Sequence, residues 1–382
     1  MSKKVLVVDD SALIRKQLGE LLANNGYDVT FAKHGEEAVN LALENPFDLI
    51  TMDINMPVMD GLSAVREIMK KSPTPILMVS SLTQDDAEVT LEALELGAID
   101  YVPKPGTITL RVEESKEEIL SKVKMASRIP KNRLQIRKSA MRKKREVENR
   151  PVSSPKNRTF QQKNSVVVSK KFDRIVLIGA STGGPRLIEE ILTSLPADYP
   201  YPVCIVQHMP ESFTAGFASR LNKNAQIEVV EAKLNDTLHA GKAIIAKGGV
   251  HLHFSKKASG ALSVKLVPNT MKRFFVPSVD EMFFSISKYF DAKKIMAVEL
   301  TGIGDDGADG MVELRKKGAY TLAESEETAV VYGMPKEAYI RGGAIKKLPF
   351  PKIVDEILNF PKQESEYGTE KKYSHREPAT SF

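Results

Sequence analysis

A serine at position 181 lies in the glycine-rich stretch Gly179-Ala-Ser-Thr-Gly-Gly-Pro185, whose residue types could support nucleophilic chemistry. A hydrophobic run at 174–178 precedes it and a segment of helical periodicity at 187–195 follows, which predicts a tight turn from strand to helix. Such a turn exposes the hydroxyl, and the N–H groups at the helix start point toward a bound group. A glycine-rich turn can instead hold a phosphate, but this one lacks both the G-x-G-x-x-G pattern and the lysine of a P-loop. The stretch therefore favours a nucleophile over a nucleotide site.

Two other polar residues follow predicted strands in the same half of the chain. His208 comes after a strand at 204–206, and Asp306 lies in a glycine-rich stretch after a strand at 294–300. Because parallel strands end at one edge of a sheet, Ser181, His208 and Asp306 should meet there. Together they are the components of an acyl-transfer triad, in which histidine accepts the serine proton and the carboxylate orients the histidine. Taken singly, Ser181 could also be a helix cap, His208 a surface or core residue, and Asp306 a turn residue or a metal ligand beside Asp305 and Asp309. Their order along the chain differs from that of α/β-hydrolases.

A second group of polar residues closes the predicted strands of the first 124 residues. Its members are Asp9, Asp10, Asp53, Ser80 and Lys104. Converging carboxylates repel one another unless a cation is present, and a hard divalent ion such as Mg²⁺ relieves this repulsion. A nearby lysine supplies a point charge suited to a phosphoryl oxygen. The sequence therefore predicts a magnesium and phosphoryl site here.

The elements that must position these residues form two α/β patterns. Residues 4–124 alternate short apolar runs with helical periodicity, with strands predicted at 5–8, 28–31, 49–52, 76–79 and 100–102. A similar pattern runs from 172 to about 360, with further strands predicted at 228–230, 243–246 and 251–254. We expect four regions: an N-terminal domain at 1–124, a basic flexible linker at 125–171, a second domain at 172–362, and a polar, disordered tail at 363–382.

Charge and composition limit the classes of function. The linker carries fifteen Lys or Arg and two Glu, which makes it a basic segment between two acidic domains. It has no helix-turn-helix, interleaved aromatics or zinc-finger spacing, so it is not predicted to recognise nucleic acid. The single cysteine, Cys204, fits a reducing compartment, and the start of the chain reads neither as a signal peptide nor as a membrane span. We expect a cytoplasmic protein without membrane insertion.

Residues 3–124 closely resemble the receiver domain of two-component response regulators, which has a flavodoxin-like fold. The matching stretches are Val-Val-Asp9-Asp10-Ser11, Met52-Asp53-Ile-Asn55-Met56-Pro57-Val-Met-Asp60-Gly61, Val79-Ser80-Ser81 and Asp100-Tyr101-Val-Pro-Lys104-Pro105. The resemblance implies that Asp53 accepts a phosphoryl group from a chemotaxis histidine kinase. It implies that Mg²⁺ is bound by Asp10, Asp53 and the Asn55 carbonyl, with Asp9 nearby. It also implies a switch formed by Ser80, Tyr101 and Lys104.

The second domain resembles the effector domain of the CheB family of chemotaxis protein-glutamate methylesterases. The matching stretches are Gly179-Ala-Ser181-Thr-Gly-Gly-Pro185, Gln207-His208-Met-Pro210, Pro277-Ser-Val-Asp280, Leu300-Thr-Gly-Ile-Gly-Asp-Asp306-Gly-Ala-Asp-Gly-Met311 and Gly333-Met-Pro335. The resemblance implies a parallel-sheet domain that hydrolyses glutamate methyl esters on methyl-accepting chemotaxis receptors and deamidates selected glutamines. Ser181 would be the nucleophile, His208 the general base, Asp306 its orienting partner, and the backbone N–H of Ile303 an oxyanion donor. Ester hydrolysis itself would need no cofactor.

Some features depart from the family pattern. Lys247 stands where proline is usual, and Glu299 occupies a strand position that is usually apolar; neither is expected to touch the triad. His251 and His253 share one strand face and could bind a metal. The alternative to an esterase is a response regulator without catalytic activity whose second domain binds a partner. Only the esterase needs Ser181, His208 and Asp306 together.

Overall fold

The computed structural model describes residues 2–81, 83–104, 112–129, 172–270 and 272–360, without the side chains of residues 84 and 112–115. Most of the predicted linker and the whole predicted tail lie outside the described residues. The described residues form two α/β domains, each built around its own parallel sheet. No helix in these ranges is long and apolar enough to cross a bilayer.

The N-terminal domain has five parallel strands in the order β2-β1-β3-β4-β5, which is the flavodoxin-like order that we expected. The strands are β1 (Lys4–Val8), β2 (Asp28–Ala32), β3 (Leu49–Asp53), β4 (Ile76–Ser80) and β5 (Asp100–Pro103). The helices are α1 (Ala12–Ala23), α2 (Gly35–Glu44), α3 (Gly61–Lys71), α4 (Gln84–Leu96) and α5 (Val112–Ala126). Ile129 is buried beyond α5, so this body extends past the boundary expected at residue 124.

The central strands form because their residues can be buried on both faces. Every residue of β3 and β4 is buried, as is typical of a parallel sheet covered by helices on each side. The helices begin where side chains satisfy the free backbone N–H groups of the first turn. Ser11, Asp60 and Thr83 accept such bonds at the starts of α1, α3 and α4.

The C-terminal domain has a seven-stranded sheet in the order β14-β13-β12-β6-β7-β9-β8, all parallel. The strands of this sheet are β6 (Ile175–Ala180), β7 (Val203–Gln207), β8 (Glu228–Glu231), β9 (Lys242–Ile245), β12 (Ile295–Glu299), β13 (Tyr320–Glu324) and β14 (Lys346–Leu348). Its helices are α6 (Gly184–Ser194), α7 (Glu211–Asn224), α8 (Val279–Ile286), α9 (Ala308–Lys316), α10 (Met334–Ile340) and α11 (Phe350–Asn359). The predicted fold class is therefore confirmed for both domains.

One predicted strand lies outside this sheet. Strand β10 (His251–Lys256) pairs antiparallel with β11 (Leu262–Val267) in a separate hairpin. Its His251 is buried, and Phe254 packs in the core between the hairpin and α8. The hairpin thus supports α8, the helix that begins beside the predicted triad.

The two domains pack directly against each other. Helix α4 of the N-terminal domain contacts α7 of the C-terminal domain, and Arg220 donates two hydrogen bonds to the carboxylate of Glu95 across this contact. Tyr101, on β5, stacks on Phe213 with ring centroids 4.6 Å apart and planes 12° apart. A small cavity of about 40 Å³ remains where residues 94–99 face Gly183 and Pro185. The predicted switch tyrosine is therefore part of the domain interface.

Candidate active site

Ser181 occupies the turn between β6 and α6, as the sequence predicted. Its backbone N–H donates to the Thr301 carbonyl at 3.0 Å, and its own carbonyl accepts from Gly184 N at 2.8 Å and Gln207 Nε2 at 2.9 Å. Gly183 has φ of 79°, a conformation that strongly favours glycine. Three hydrogen-bond partners thus fix the backbone of Ser181.

His208 follows β7, the neighbour of β6 in the sheet. Its backbone N–H donates to the Ala180 carbonyl at 3.0 Å, which places it beside the serine turn. Its ring Nε2 lies 2.8 Å from Asp306 Oδ2. Because an ionised carboxylate only accepts hydrogen bonds, Nε2 carries the proton of the neutral ring and Nδ1 is unprotonated. Nδ1 is buried without a hydrogen-bond partner among the described residues, so its lone pair is available to a proton.

Asp306 lies at the N-terminus of α8. Its Oδ1 accepts from Ser278 Oγ at 2.7 Å and Asp280 N at 3.1 Å, and its Oδ2 accepts from Val279 N at 2.7 Å. Burial acts to raise the pKa of Asp306, but hydrogen bonds and charge from His208, with bonds from Ser278 and Val279, hold that pKa below its ordinary value. The helix dipole acts in the same direction. The carboxylate is therefore kept charged.

His208 is hydrogen-bonded to Asp306 but not to Ser181. Ser181 Oγ makes no hydrogen bond to any described residue, although it lies on the strand end adjacent to His208. Gly302 packs closely against it, since a Cβ added to Gly302 would lie only 2.8 Å from Ser181 Cβ. Nucleophile-to-base bonds are often long without substrate and shorten in the complex, so this geometry is compatible with a triad.

Ile303 lies in the loop that passes the serine. Gly302 N donates to the Val331 carbonyl at 3.1 Å, and the Gly302 carbonyl accepts from Met334 N at 3.0 Å. These two bonds hold the loop against the residues at the start of α10. The backbone N–H of Ile303 donates to no acceptor within the described ranges. A fixed loop with a free N–H is what an oxyanion donor requires.

Two more buried carboxyl groups lie near Asp306. Glu299, at the end of β12, is fully buried, and both of its carboxyl oxygens lack a hydrogen-bond partner in the described part of the chain. It packs against Gly307, the residue that follows Asp306. Burial, and then the charges of Asp306 and Asp280, raise the pKa of Glu299 well above its ordinary value. Burial also raises the pKa of Asp280 to about 7. Of the three carboxyls, Asp306 is the one held charged.

The N-terminal domain brings Asp9, Asp10 and Asp53 together, with ligand atoms within 4.8 Å of one another. Lys104 Nζ lies 2.8 Å from Asp53 Oδ1 and 3.5 Å from Asp9 Oδ2. Burial raises the pKa of Asp53 to about 6, while the Lys104 hydrogen bond opposes that rise. Asp53 Oδ2 is buried with no hydrogen-bond partner among the described residues. These oxygens suit a hard divalent cation.

The other residues predicted for this site lie around it. Ser80 ends β4 and is fully buried, and its carbonyl accepts from Lys104 N at 2.8 Å. Asn55 donates its side-chain amide to Asp86 at 2.8 Å. Tyr101 lies in the domain interface, where its ring stacks on Phe213.

The sequence did not predict one contact that joins the two domains. Thr182, the residue after the predicted nucleophile, donates a hydrogen bond through its hydroxyl to Asp100 of β5, the residue before the switch tyrosine. Nor did it predict a role for Ser278. The pattern Ser278-Val-Asp-Glu281 is a capping-box signal that could have placed a helix start, and its free N–H groups, at Asp306.

Comparison with known proteins agrees with this division into two sites. Residues 176–357 match the family model of CheB methylesterase, and residues 5–113 match that of the response regulator receiver domain. The chain is 47% identical over 363 residues to protein-glutamate methylesterase/protein-glutamine glutaminase 2 of Carboxydothermus hydrogenoformans, covering 94% of this chain and 99% of that one. It is 43% identical over 379 residues to the protein-glutamate methylesterase/protein-glutamine glutaminase of Caldanaerobacter subterraneus, which covers 98% of this chain and 100% of that one.

Solved structures match each domain separately. The Thermotoga maritima CheB methylesterase catalytic domain is 35% identical and has a TM-score of 0.47, covering 49% of this chain and 98% of that one. The response regulator domain of Thermotoga maritima CheB is 44% identical with a TM-score of 0.31, covering 34% and 99%. With near-complete coverage of full-length relatives at more than 40% identity, the chain belongs to the CheB family of protein-glutamate methylesterase/protein-glutamine glutaminases.

Proposed function

We propose that this protein is a phosphorylation-activated hydrolase that removes methyl groups from glutamate methyl esters on the cytoplasmic helices of chemoreceptors. Methanol is the product, and selected receptor glutamines are deamidated at the same site. The observation that carries the proposal is the His208–Asp306 pair, which leaves an unprotonated ring nitrogen beside the serine turn. We place its action in the cytoplasm, where these helices lie.

In the acylation step, Ser181 Oγ attacks the ester carbonyl carbon and His208 Nδ1 takes the serine proton. The carbonyl π electrons move to oxygen, and the backbone N–H of Ile303 stabilises the resulting oxyanion. When the oxyanion collapses, the bond to the methoxy group breaks and His208 returns the proton to it as methanol. Asp306 stays ionised and stabilises the imidazolium that forms between these steps.

In the deacylation step, water attacks the acyl group held on Ser181, with His208 as general base. The Ser181 oxygen then leaves and takes the proton back from the imidazole, which releases a glutamate carboxyl. With a glutamine substrate the leaving group is ammonia, and the other steps are the same. No metal is needed for either reaction.

The receiver controls this site through the domain interface. Thr182 is hydrogen-bonded to Asp100, and Tyr101 packs on Phe213, so the start of β5 lies against the serine turn. We propose that phosphorylation of Asp53 by a chemotaxis histidine kinase rearranges Ser80, Tyr101 and Lys104 and moves the receiver aside. Mg²⁺ bound by Asp10, Asp53 and the Asn55 carbonyl, with Asp9 nearby, would neutralise phosphoryl charge.

The test measures methanol release from methylated receptor membranes. Wild type, Ser181→Ala and Asp53→Asn are compared with and without Mg²⁺ and a small phosphodonor. We expect release by the wild type to rise with the phosphodonor. Release should vanish in Ser181→Ala, and Asp53→Asn should keep only the unstimulated rate.

The alternative is a partner-binding module without catalysis, and the same assay separates the two. Equal, negligible release from the wild type and Ser181→Ala, with the wild type folded and phosphorylated, would reject the esterase. Receptor binding that is unaffected by Ser181→Ala would then support the binding module.

A further inference from the structure

The segment 272–278 contacts two members of the proposed triad at once. At its end, Ser278 donates its hydroxyl to Asp306. In its middle, the Phe275 ring stacks on the His208 imidazole, with centroids 4.1 Å apart and planes only 8° apart. One short segment thus contacts both the proposed base, His208, and its orienting carboxylate, Asp306.

Phe275 also contacts the loop that carries the proposed oxyanion donor. A Cβ added to Gly304 would lie 3.5 Å from Phe275 Cε2, so an edge of the ring lies close to Gly304 while its face stacks on His208. Gly304 has φ of 88°, which favours glycine at this contact. The ring therefore lies near both the proposed base and the loop that carries the proposed oxyanion donor.

The segment is anchored by polar contacts at both ends. Ser278 N donates to His251 Nδ1 at 3.2 Å, and His251 Nε2 lies 3.2 Å from Asn269 Oδ1. Asn269 in turn exchanges two hydrogen bonds of 2.8 Å with the backbone of Arg273. His251 is buried, so these bonds are shielded from water.

A second set of contacts ties the segment to α8. Arg273 Nε donates to Glu281 Oε1 at 3.0 Å, and His253 Nε2 lies 3.0 Å from Glu281 Oε2. Both histidines that could have bound a metal are thus engaged in holding this segment. A rigid support of this kind is what fixes a flat side chain such as Phe275 in one orientation.

We propose that Phe275 is a positioning residue for His208. Its ring fixes the plane of the imidazole so that Nδ1 faces the serine while Nε2 stays on Asp306. The stacking costs little to form because the segment is already anchored. This inference rests on the proposed triad, because it assigns a partner to the base of that triad.

The neighbouring Phe274 offers a matched control. Its side chain is 73% exposed, and its ring meets Phe275 edge to face at 4.9 Å without stacking on the imidazole. Phe274→Ala therefore makes the same chemical change one position away and leaves the His208 contact in place. Phe275→Tyr keeps the aromatic face, and Phe275→Leu keeps apolar bulk without it.

The experiment measures methanol release by the full chain, with Mg²⁺ and phosphodonor, over a range of methylated receptor concentrations. We expect Phe275→Ala to lower kcat by about 10- to 100-fold with KM within about threefold, because misplacing a base by about 1 Å has effects of this size. Phe275→Tyr should restore kcat to within about threefold of wild type. Phe275→Leu should remain low, and Phe274→Ala should keep wild-type kcat.

Thermal unfolding and the Ser181→Ala variant complete the design. Midpoints of the Phe275 variants within a few degrees of wild type, together with the predicted kcat pattern, support positioning. If Phe275→Ala keeps wild-type kcat, or if Leu restores it as well as Tyr, or if Phe274→Ala lowers it equally, the inference is overturned. A wild type no faster than Ser181→Ala would instead overturn the proposed function.

Discussion

Replacing Glu299 by methionine should stabilise the protein, and should do so more strongly as the pH rises. The Glu299 carboxyl is fully buried at the end of β12, and neither of its oxygens has a hydrogen-bond partner among the described residues. Its pKa is raised well above the ordinary 4.5 by burial and then by the charge of Asp306. The folded state therefore keeps a proton on Glu299 that the unfolded chain releases above its ordinary pKa.

The sign and size of the effect follow from proton linkage. A raised folded-state pKa means that the folded state binds more protons, so stability is greatest below pH 4.5 and falls as the pH rises toward the folded pKa. One proton gives a slope of ~1.4 kcal/mol per pH unit. Between pH 5.5 and 7.5 the wild type should lose up to ~3 kcal/mol that Glu299→Met keeps. For a domain of this size that corresponds to a difference in melting temperature of about 6–12 °C.

Scanning calorimetry of the full chain at several pH values measures this difference. Glu299→Gln should show the same pH trend, since it also removes the titrating group. Glu324, on the adjacent strand, is the matched control: it is equally buried, but its carboxylate accepts from Thr301 N and Thr328 Oγ1, each at 2.9 Å. Glu324→Met should destabilise by ~1–3 kcal/mol because it leaves these donors unpaired. A stability difference for Glu299→Met that does not change with pH would show that Glu299 is not held neutral.

Two further predictions concern the domain interface and the support of the triad. Glu95→Gln weakens the two-bond ion pair with Arg220 across the interface. A partly exposed ion pair is worth ~0.2–1 kcal/mol, so unphosphorylated methanol release should rise by about 1.4- to fivefold. Glu92→Gln, whose partner Arg66 lies within the receiver, should leave that release unchanged. Ser278→Ala removes a 2.7 Å hydrogen bond to the charged Asp306 and should lower kcat about tenfold or more. Ser278→Thr, which keeps the hydroxyl, should restore kcat in the same assay. An unaltered kcat in the alanine variant would contradict the idea that Ser278 supports Asp306.

The sequence predicted most of the fold because buried strands leave a simple apolar signal. The ends of β3, β4 and β7 were predicted to within one residue for this reason. Three strands were missed because they lack that signal. Strand β11 alternates polar and apolar residues, β13 carries a threonine and a glutamate in buried positions, and β14 has two lysines among three residues.

The sequence could predict only those site residues that lie at the ends of strands. Ser181, His208 and Asp306 follow adjacent parallel strands, which the alternation of elements implies. The contacts of Phe275 and Asp100 were not predictable, because they join segments that are distant in sequence and carry no periodic pattern. The burial of Glu299 beside Asp306 was missed for the same reason: a strand pattern shows that a residue is inside, but not what it touches.

If phosphorylation moves the receiver, as proposed, the movement should alter catalysis and not only access. Asp100 accepts a hydrogen bond from the Thr182 hydroxyl, while the Thr182 carbonyl accepts from Thr301 Oγ1 at 2.9 Å. Thr301 Oγ1 itself accepts from Val331 N at 2.9 Å, and the Val331 carbonyl accepts from Gly302 N in the loop that carries the proposed oxyanion donor. A displacement of β5 would therefore act on the backbone of the serine turn and, through Thr301, on that loop. On this basis, phosphorylation should change kcat as well as KM, whereas simple uncovering of the site would leave kcat per accessible site unchanged.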